Sequence, residues 1–405
     1  MKARRHSGAI GIVALAAGLA LVLPASAGVA GTGGTAQAPV SCQLSWTKAT
    51  SNTGFPDTSA TYWTVHFPVV TGGYLFVAGT FPHARYMSFN SYQGSAAYDV
   101  VEDDILVPNS GAPNPFQGGN PRDNTVTYDM TVAFEPAQTP RAANTLYTGP
   151  ATPPSNEVIY RVYVPDEGED DTGGVGTPTV TFNAPAGTPV PPGCTSNSSP
   201  ARPATLAPAQ LAAPGPGTAR AAAAATNPPT WTKATGNDSY GNLDNAYLST
   251  SISQSLGQVL VIHAEAPTFP ATYAGEKIFQ GGTQLRYWSM CENDPDTTGV
   301  ISCTPDYRTA VTSGYYTIAV SKTRPTNVGA ACDDTWLKWG SVQAGTLLLR
   351  NMLPAASFAQ AIQNAQNGQL QQDMGAYYPS SAYVATLSQF ESLGCPPNLS
   401  GLPFG

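Results

Sequence analysis

Short segments in which apolar and polar residues alternate run along this chain and predict β-strands. Thr61–Phe67 shows the pattern, because Trp63, Val65 and Phe67 share one face and polar side chains take the other. Clusters of Gly and Pro separate these segments, as the turns between short strands require. Strands are predicted at Thr61–Phe67, Tyr74–Gly79, Arg85–Tyr92, Thr125–Phe134, Val158–Val164, Ala246–Ile252, Gln258–Ala264, Gln284–Met290, Tyr315–Val320 and Thr346–Met352.

Three sequence landmarks occur twice, in the same order, which predicts that one module has been copied. The matching pairs are Ser45–Thr50 with Thr230–Thr235, Ala84–Ser88 with Leu285–Ser289, and Tyr160–Pro165 with Leu349–Pro354. We therefore expect domains at 42–194 and 230–405. The segment 195–229 between them is rich in Ser, Pro and Ala, a composition that predicts a linker.

Many short strands at these spacings favour an all-β fold. We expect two tandem antiparallel β-sandwich domains that are jelly-roll-like. One short helix is predicted near the C-terminus at Ser357–Asn367, where Phe358, Ile362 and Ala365 share a face.

The first 27 residues have the pattern of a secretory signal peptide. Lys2, Arg4 and Arg5 precede the apolar run Ile10–Leu23, and small residues lead to a cleavage site before Gly28. Residues 28–41 are then predicted to form a flexible arm. No later stretch approaches the roughly 20 apolar residues that span a bilayer. The pattern predicts a secreted, extracellular protein without stable membrane insertion.

Charge argues against nucleic acid as a partner. The chain has 18 basic and 26 acidic residues, and its net charge falls from −8 to −11 when the leader is removed. Binding to phosphates needs clustered Lys and Arg side chains, which this chain lacks.

Six cysteines remain after the leader, and an even number in an exported chain predicts three disulfides. Cys42 and Cys194 lie at the two ends of the first domain and are expected to pair. The four cysteines of the second domain allow three pairings. Their order favours Cys291 with Cys303 and Cys332 with Cys395. A thiolate metal cluster would need a C-x-x-C type spacing, which is absent.

Four arginines lie inside predicted strands and must find partners there. They form two matching pairs: Arg85 with Arg286, and Arg161 with Arg350. One interpretation makes each guanidinium a structural strut that donates to carbonyl or carboxylate groups at the rim of its sandwich. The other is a pocket in each domain where two arginines bind a small anionic ligand.

Acidic runs at Glu102–Asp104 and Asp166–Asp171 are the candidate cation sites. Calcium is the possible cofactor at the second run, because Ca²⁺ takes six to eight oxygen ligands. Its ligands would be Asp166, Glu167, Glu169, Asp170 and Asp171. The spacing departs from the calcium loop of EF-hands, and a solvated turn is the alternative.

Common catalytic motifs are absent from the sequence. A hydrolase built on His83 or His263 stays open, because the members of a triad come together only in the fold. Aromatic residues near turns, Tyr92, Tyr98 and Phe116, give a binding alternative. The pairs 315–316 and 377–378 should each turn one tyrosine outward, where a ring can stack on a sugar. Cross-strand packing of these rings is the other interpretation.

The chain resembles a group of uncharacterised secreted actinobacterial proteins with tandem jelly-roll-like domains of unknown function. The likeness rests on the strand at Arg85–Ser88, on Tyr160–Asp166 followed by Thr172–Val175, and on Arg350–Pro354 followed by Phe358–Ile362. It implies export and a β fold, and supplies no catalytic residues. The preferred function is binding of an extracellular glycan, surface or small anionic ligand. A secreted hydrolase acting on a polysaccharide or ester polymer is the alternative.

Overall fold

The structure is a computed structural model that describes residues 38–109, 111–119, 125–150, 156–194, 224–234, 240–277 and 282–405. The predicted signal peptide, residues 28–37 of the predicted arm and residues 195–223 of the predicted linker lie outside these ranges. Within them, no helix has the length and apolar character that a membrane crossing needs.

Ten strands form the first sandwich. They are β1 (Val40–Leu44), β2 (Thr47–Lys48), β3 (Ala60–Phe67), β4 (Tyr74–Thr80), β5 (Ala84–Gln93), β6 (Ala96–Glu102), β7 (Thr127–Ala133), β8 (Thr145–Tyr147), β9 (Asn156–Pro165) and β10 (Thr179–Ala184). The outer sheet has the order β1-β10-β4-β7-β8 and the inner sheet the order β2-β3-β9-β5-β6. Neighbouring strands are antiparallel except β7 and β8, which are parallel.

Ten further strands form the second sandwich. They are β11 (Thr232–Lys233), β12 (Asn245–Ser253), β13 (Val259–Glu265), β14 (Leu285–Asn293), β15 (Val300–Pro305), β16 (Val311–Thr312), β17 (Tyr315–Ser321), β18 (Thr335–Lys338), β19 (Ala344–Pro354) and β20 (Ser380–Val384). The inner sheet has the order β11-β12-β19-β14-β15 and the outer sheet the order β16-β17-β13-β20, with β18 parallel to β17. The all-β fold and the ten predicted strands are thus confirmed, with ends that shift by a few residues.

Alternation along the strands builds each core. In the first sandwich, Leu75 and Val77 of the outer sheet pack with Trp63, Val65 and Phe89 of the inner sheet. Burial of one such side chain contributes about 1.5–3 kcal/mol to stability. The second core is built in the same way from β12, β13, β14, β17 and β19.

The inner sheets of the two sandwiches face each other. Almost every residue of β5, β9 and β14 is therefore buried, since one face meets its own core and the other meets the second sandwich. Tyr86, Tyr163, Tyr287 and Met352 form a shared apolar cluster at the centre of this contact. The described residues between 38 and 405 consequently form one compact unit.

A short helix near the C-terminus is confirmed, but its predicted position at Ser357–Asn367 is wrong, because this segment forms consecutive turns. Phe358 and Ile362 are buried as predicted. The side chain of Asn364, however, donates to the carbonyl oxygens of Phe358 and Ala359 at 3.2 Å, and Asn351 accepts from the Ile362 N–H at 3.1 Å. Such amide side chains compete with the backbone bonds of a helix.

Short helices occur farther along the chain. The α-helices are α1 (Leu370–Met374) and α2 (Leu387–Glu391). The 3₁₀ turns are Asp103–Ile105, Pro115–Gln117, Thr272–Ala274, Asp306–Arg308, Ala330–Cys332 and Gly375–Tyr377.

All three predicted disulfides are present: Cys42–Cys194, Cys291–Cys303 and Cys332–Cys395. Each bridge lies within one sandwich. The contact between the sandwiches therefore depends on noncovalent interactions.

Candidate functional site

Buried ion pairs link the sandwiches, and two of them join an arginine of strand β5 or β14 to an aspartate of the other sandwich. Arg85 of β5 contacts Asp306 and donates to Thr272 Oγ1 at 3.0 Å. Arg286 of β14 donates to Asp103 at 2.9 Å. Asp103 follows β6 and Asp306 follows β15, so the two pairs occupy matching positions in the two inner sheets.

The second pair of arginines also reaches across the interface. Arg161 donates to the backbone oxygen of Tyr240 at 2.9 Å, and Arg350 donates to that of Phe55. Both acceptor residues have a positive φ, 54° for Phe55 and 60° for Tyr240, a conformation that costs free energy in a non-glycine residue. Their backbone N–H groups are also bonded across the interface, at 2.9 Å in each case. Interface contacts thus hold both residues in this conformation.

One matching position differs between the sandwiches in charge. Asp57 of the first sandwich accepts from Tyr287 Oη at 2.9 Å and from Ser289 Oγ at 2.6 Å. It also lies 3.7 Å from the Arg350 guanidinium. The matching residue in the second sandwich is the neutral Asn242, whose amide donates to Tyr86 Oη at 3.0 Å, and the carboxylate that accepts from Tyr86 Oη there is Asp244, at 2.5 Å.

All four predicted arginines therefore lie at this interface, with side chains at most 4% exposed and with partners inside the protein. Arg85 also lies over the rings of Phe269 and Tyr307, at 5.1 and 5.6 Å. Burial raises the pKa of Asp103 to about 7, against the attraction of Arg286. An anionic ligand at the arginines stays a prediction.

In the predicted calcium loop, Glu169, Asp170 and Asp171 each contact a different group of the protein. Asp170 accepts from the Thr172 hydroxyl and from two backbone N–H groups, and the Thr172 contact does most to lower its pKa. Asp171 pairs with Lys48, and Glu169 lies 3.3 Å from His83 Nδ1. Glu167 is exposed and Asp166 is buried at the start of the loop. Calcium binding there stays a prediction.

Among the described residues, one group of potential metal ligands lies close together: Asp57, Cys291 and Cys303. The two cysteines form a disulfide and so offer no thiolate.

The described histidines have different kinds of neighbour. His263 Nδ1 is 3.0 Å from Thr317 Oγ1, and His66 Nε2 is 3.9 Å from Glu157. Burial lowers the pKa of both imidazoles. His83 lies beside Glu169. In the described ranges, these contacts join no histidine to a serine or cysteine side chain, as a serine or cysteine hydrolase would require. Catalysis remains a prediction.

Several rings predicted to be exposed are buried. Tyr92 and Phe116 are at most 1% exposed, because Tyr92 faces the second sandwich and Phe116 packs into the first core. Tyr98 is partly exposed. The expected alternation at 315–316 is confirmed, since Tyr315 is 39% exposed and Tyr316 is buried. Both Tyr377 and Tyr378 are partly buried.

A different pair of rings occupies the outer face of the first sandwich. Tyr74 and Phe76 of β4 are 41% and 38% exposed, while Leu75 and Val77 between and after them enter the core. We call the outward-facing surface around these rings the open face. Strand register arranges it in rows across the sheet: Ser41, Asn183, Tyr74 and Ala133; Gln43, Thr181, Phe76 and Thr131; and Thr179, Ala78 and Asp129.

The matching face of the second sandwich is covered by its own chain. Strand β13 takes the same place between its neighbours as β4, and its outward residues Val259 and Val261 are fully buried. They pack against Phe390 of α2 and against a C-terminal segment that includes Leu399 and Leu402. Among the described residues, Tyr74 and Phe76 thus form an exposed pair on one central strand, whereas the second outer sheet exposes Val311 and Tyr315 at its β16–β17 edge.

Sequence reasoning missed the open face for a physical reason. It predicted the strand Tyr74–Gly79, but in Tyr74-Leu75-Phe76-Val77 both faces are apolar, so alternation does not mark the outward one. The neighbouring strands β1 and β10 have polar side chains at every second position, and these mark the face of the sheet that points to solvent.

No family model and no curated protein matches this chain. An uncharacterised protein from Burkholderia cenocepacia has a similar solved structure, with 16% identity, 76% of each chain covered and a TM-score of 0.48. A protein from Vibrio parahaemolyticus is similar at 11% identity, with 77% of this chain and 88% of that chain covered and a TM-score of 0.39. Likeness at these scores carries no argument about function.

Proposed function

We propose that this protein is exported and binds an extracellular glycan or glycan-bearing surface through the open face of its first sandwich. The leader sequence and the three disulfides support export, because such bridges persist in oxidising compartments. The two sandwiches are proposed to descend from one jelly-roll-like module. Their matching inner-sheet order and reciprocal arginine contacts support that duplication.

The contrast between the two outer sheets carries the proposal. A protein in water usually covers apolar pairs on a sheet, as the second sandwich does with its C-terminal segment. Exposed aromatic groups among polar ones are typical of surfaces that bind a partner. An aromatic ring can stack on the apolar face of a sugar, and the hydroxyl and amide groups around it can bond to the sugar hydroxyls.

Thermal unfolding with a panel of polysaccharides tests the proposal, since a ligand that prefers the native state raises stability. The double variant Tyr74→Ala/Phe76→Ala should lose the stabilisation seen with the wild type. Tyr315→Ala is the matched control, because Tyr315 has nearly the same exposure on the other outer sheet. It should respond as the wild type does.

Equal stabilisation of the wild type and the double variant would contradict the proposal. Release of reducing ends from a polymer by the purified protein would favour the hydrolase prediction instead. Arms with calcium and with a chelator test the acidic loop in the same assay.

A further inference from the structure

Charge is almost absent from the open face. Of the eleven side chains in its three rows, only Asp129 is acidic and none is basic, and Asp129 lies in the last row beside Ala78. The others are hydroxyl, amide, methyl and aromatic groups. An anionic polymer would find no cation in these rows, and the negative net charge of −8 would repel it.

The dimensions of the face exceed one sugar. Strands lie about 4.8 Å apart, so a row that crosses β1, β10, β4 and β7 is about 14 Å long. Residues two apart on a strand are separated by about 7 Å, which is the distance between the rows of Tyr74 and Phe76. Hydroxyl and amide groups flank each ring: Asn183 beside Tyr74, and Thr181 and Thr131 on the two sides of Phe76.

We infer that the open face selects an uncharged oligosaccharide or polysaccharide chain, which crosses the strands diagonally, from Thr131 past Phe76 and Tyr74 to Asn183, and so contacts both rings. This inference rests on the proposed function and adds the ligand class. Because the C-terminal segment covers the matching face of the second sandwich, each chain offers one such site.

Affinity electrophoresis of the full-length protein tests the ligand class, with glucomannan and dextran as neutral probes and polygalacturonate as the anionic probe. At least one neutral probe should retard the wild type. Retardation should change little between about 0.05 and about 1 M salt, because screening acts on charges. Tyr74→Ala and Phe76→Ala should each weaken binding about three- to tenfold, while Tyr315→Ala should not.

Oligomers of the retarding sugar test the length of the site. Titration calorimetry should give one site per chain and an affinity that rises from the monosaccharide to an oligomer long enough to cross the row. Thr131→Ala and Asn183→Ala should weaken binding of the oligomer and leave the melting temperature nearly unchanged.

The outcomes separate the two levels of the proposal. Retardation by polygalacturonate alone, abolished by Tyr74→Ala/Phe76→Ala, would overturn the inference and keep the proposed face. Two sites per chain, or equal affinity for monosaccharide and oligomer, would also overturn the inference. Equal retardation of the wild type and of Tyr74→Ala/Phe76→Ala would overturn the proposed function itself.

Discussion

The buried arginines show how much one side chain depends on a partner remote in sequence. Arg85 and Asp306 are both fully buried and 221 positions apart. Placing two charges in a protein interior is costly, and their attraction offsets the cost only when both are present with further hydrogen bonds. Asp306 has such bonds, because its carboxylate also accepts from the backbone N–H groups of Trp288 and Tyr307.

Removal of one partner should therefore cost more than removal of both charges. We expect Arg85→Met to lower the free energy of unfolding by about 3 kcal/mol, since it leaves a buried carboxylate without its cation. Arg85→Met/Asp306→Asn should lose less than the sum of the two single variants, because the amide keeps an acceptor for the N–H groups. Chemical denaturation of the four proteins measures this coupling. Additive losses of stability would contradict the expected coupling between Arg85 and Asp306. Loss of glycan binding in Arg85→Met would instead favour a ligand site at the arginines.

Glu292 is a buried carboxyl whose ionisation opposes folding. It is fully buried, and neither of its side-chain oxygens has a hydrogen-bond partner among the described residues. Burial, with a smaller effect of Asp294, raises its pKa to about 9 from an ordinary value of 4.5. Below pH 4.5 the group is protonated in both states. As the pH rises towards 9, the unfolded chain releases the proton first, so stability is lost across this window.

Glu292→Gln should remove that loss. Its stability should match the wild type near pH 4 and exceed it at pH 8, with a difference that grows by up to about 1.4 kcal/mol per pH unit. Denaturation curves at several pH values measure the effect. The exposed Glu135 provides the control, because Glu135→Gln should leave the pH profile unchanged. A constant difference between Glu292→Gln and the wild type at all pH values would rule out this account.

At the scale of elements, the C-terminal segment decides which sheet face meets solvent. Helix α2 begins with a capping box, in which the Thr386 side chain accepts from the Gln389 N–H and Gln389 bonds back. Phe390 of this helix packs on Val259 and Val261, and the Cys332–Cys395 bridge joins the segment to the 3₁₀ turn that precedes β18. In the first sandwich, the described residues provide no such cover over β4.

Loss of this bridge should loosen the cover without affecting the open face. We expect Cys332→Ser/Cys395→Ser to lower stability by about 2–4 kcal/mol, as is typical when a disulfide is removed. Amide hydrogen exchange should become faster in α2 and β20. Exchange in β4 and β10 is the internal control and should not change. Full protection of α2 in the variant would mean that packing alone holds the segment.

For the whole molecule, the interface makes two sandwiches one unit. Ion pairs, carbonyl acceptors and the Asp57 contacts bury polar groups between the inner sheets, and these contacts join a group of one sandwich to a group of the other. A buried polar group that loses its partner costs free energy, so the sandwiches should separate only with difficulty. We therefore expect them to unfold together.

Scanning calorimetry should show one transition for the wild type. Asp57→Ala should split it into two, because Tyr287 and Ser289 lose a common acceptor and Arg350 loses its ion-pair partner at once. Asp129→Ala changes an aspartate on the outer face and should keep the single transition. A single transition in Asp57→Ala as well would mean that the apolar cluster around Tyr163 suffices to couple the sandwiches.

The sequence by itself determined ten of the twenty described strands, the buried face of Thr61–Phe67 and the disulfide pairs. Side chains in a strand alternate with period two wherever the strand lies, so Trp63, Val65 and Phe67 mark a core face without tertiary information. Cysteine pairing followed from order along the chain.

Only the tertiary structure decided what lies outside each sandwich. Tyr86, Ser88, Asn90 and Tyr92 form a polar strand face suited to solvent, yet all four are fully buried against the second sandwich. Tyr74 and Phe76 form an apolar face suited to burial, yet they are exposed. The local sequence pattern shows how polar a strand face is. Whether that face is covered depends on residues that lie far along the chain. The site therefore follows from the packing of sheets, which alternation does not encode.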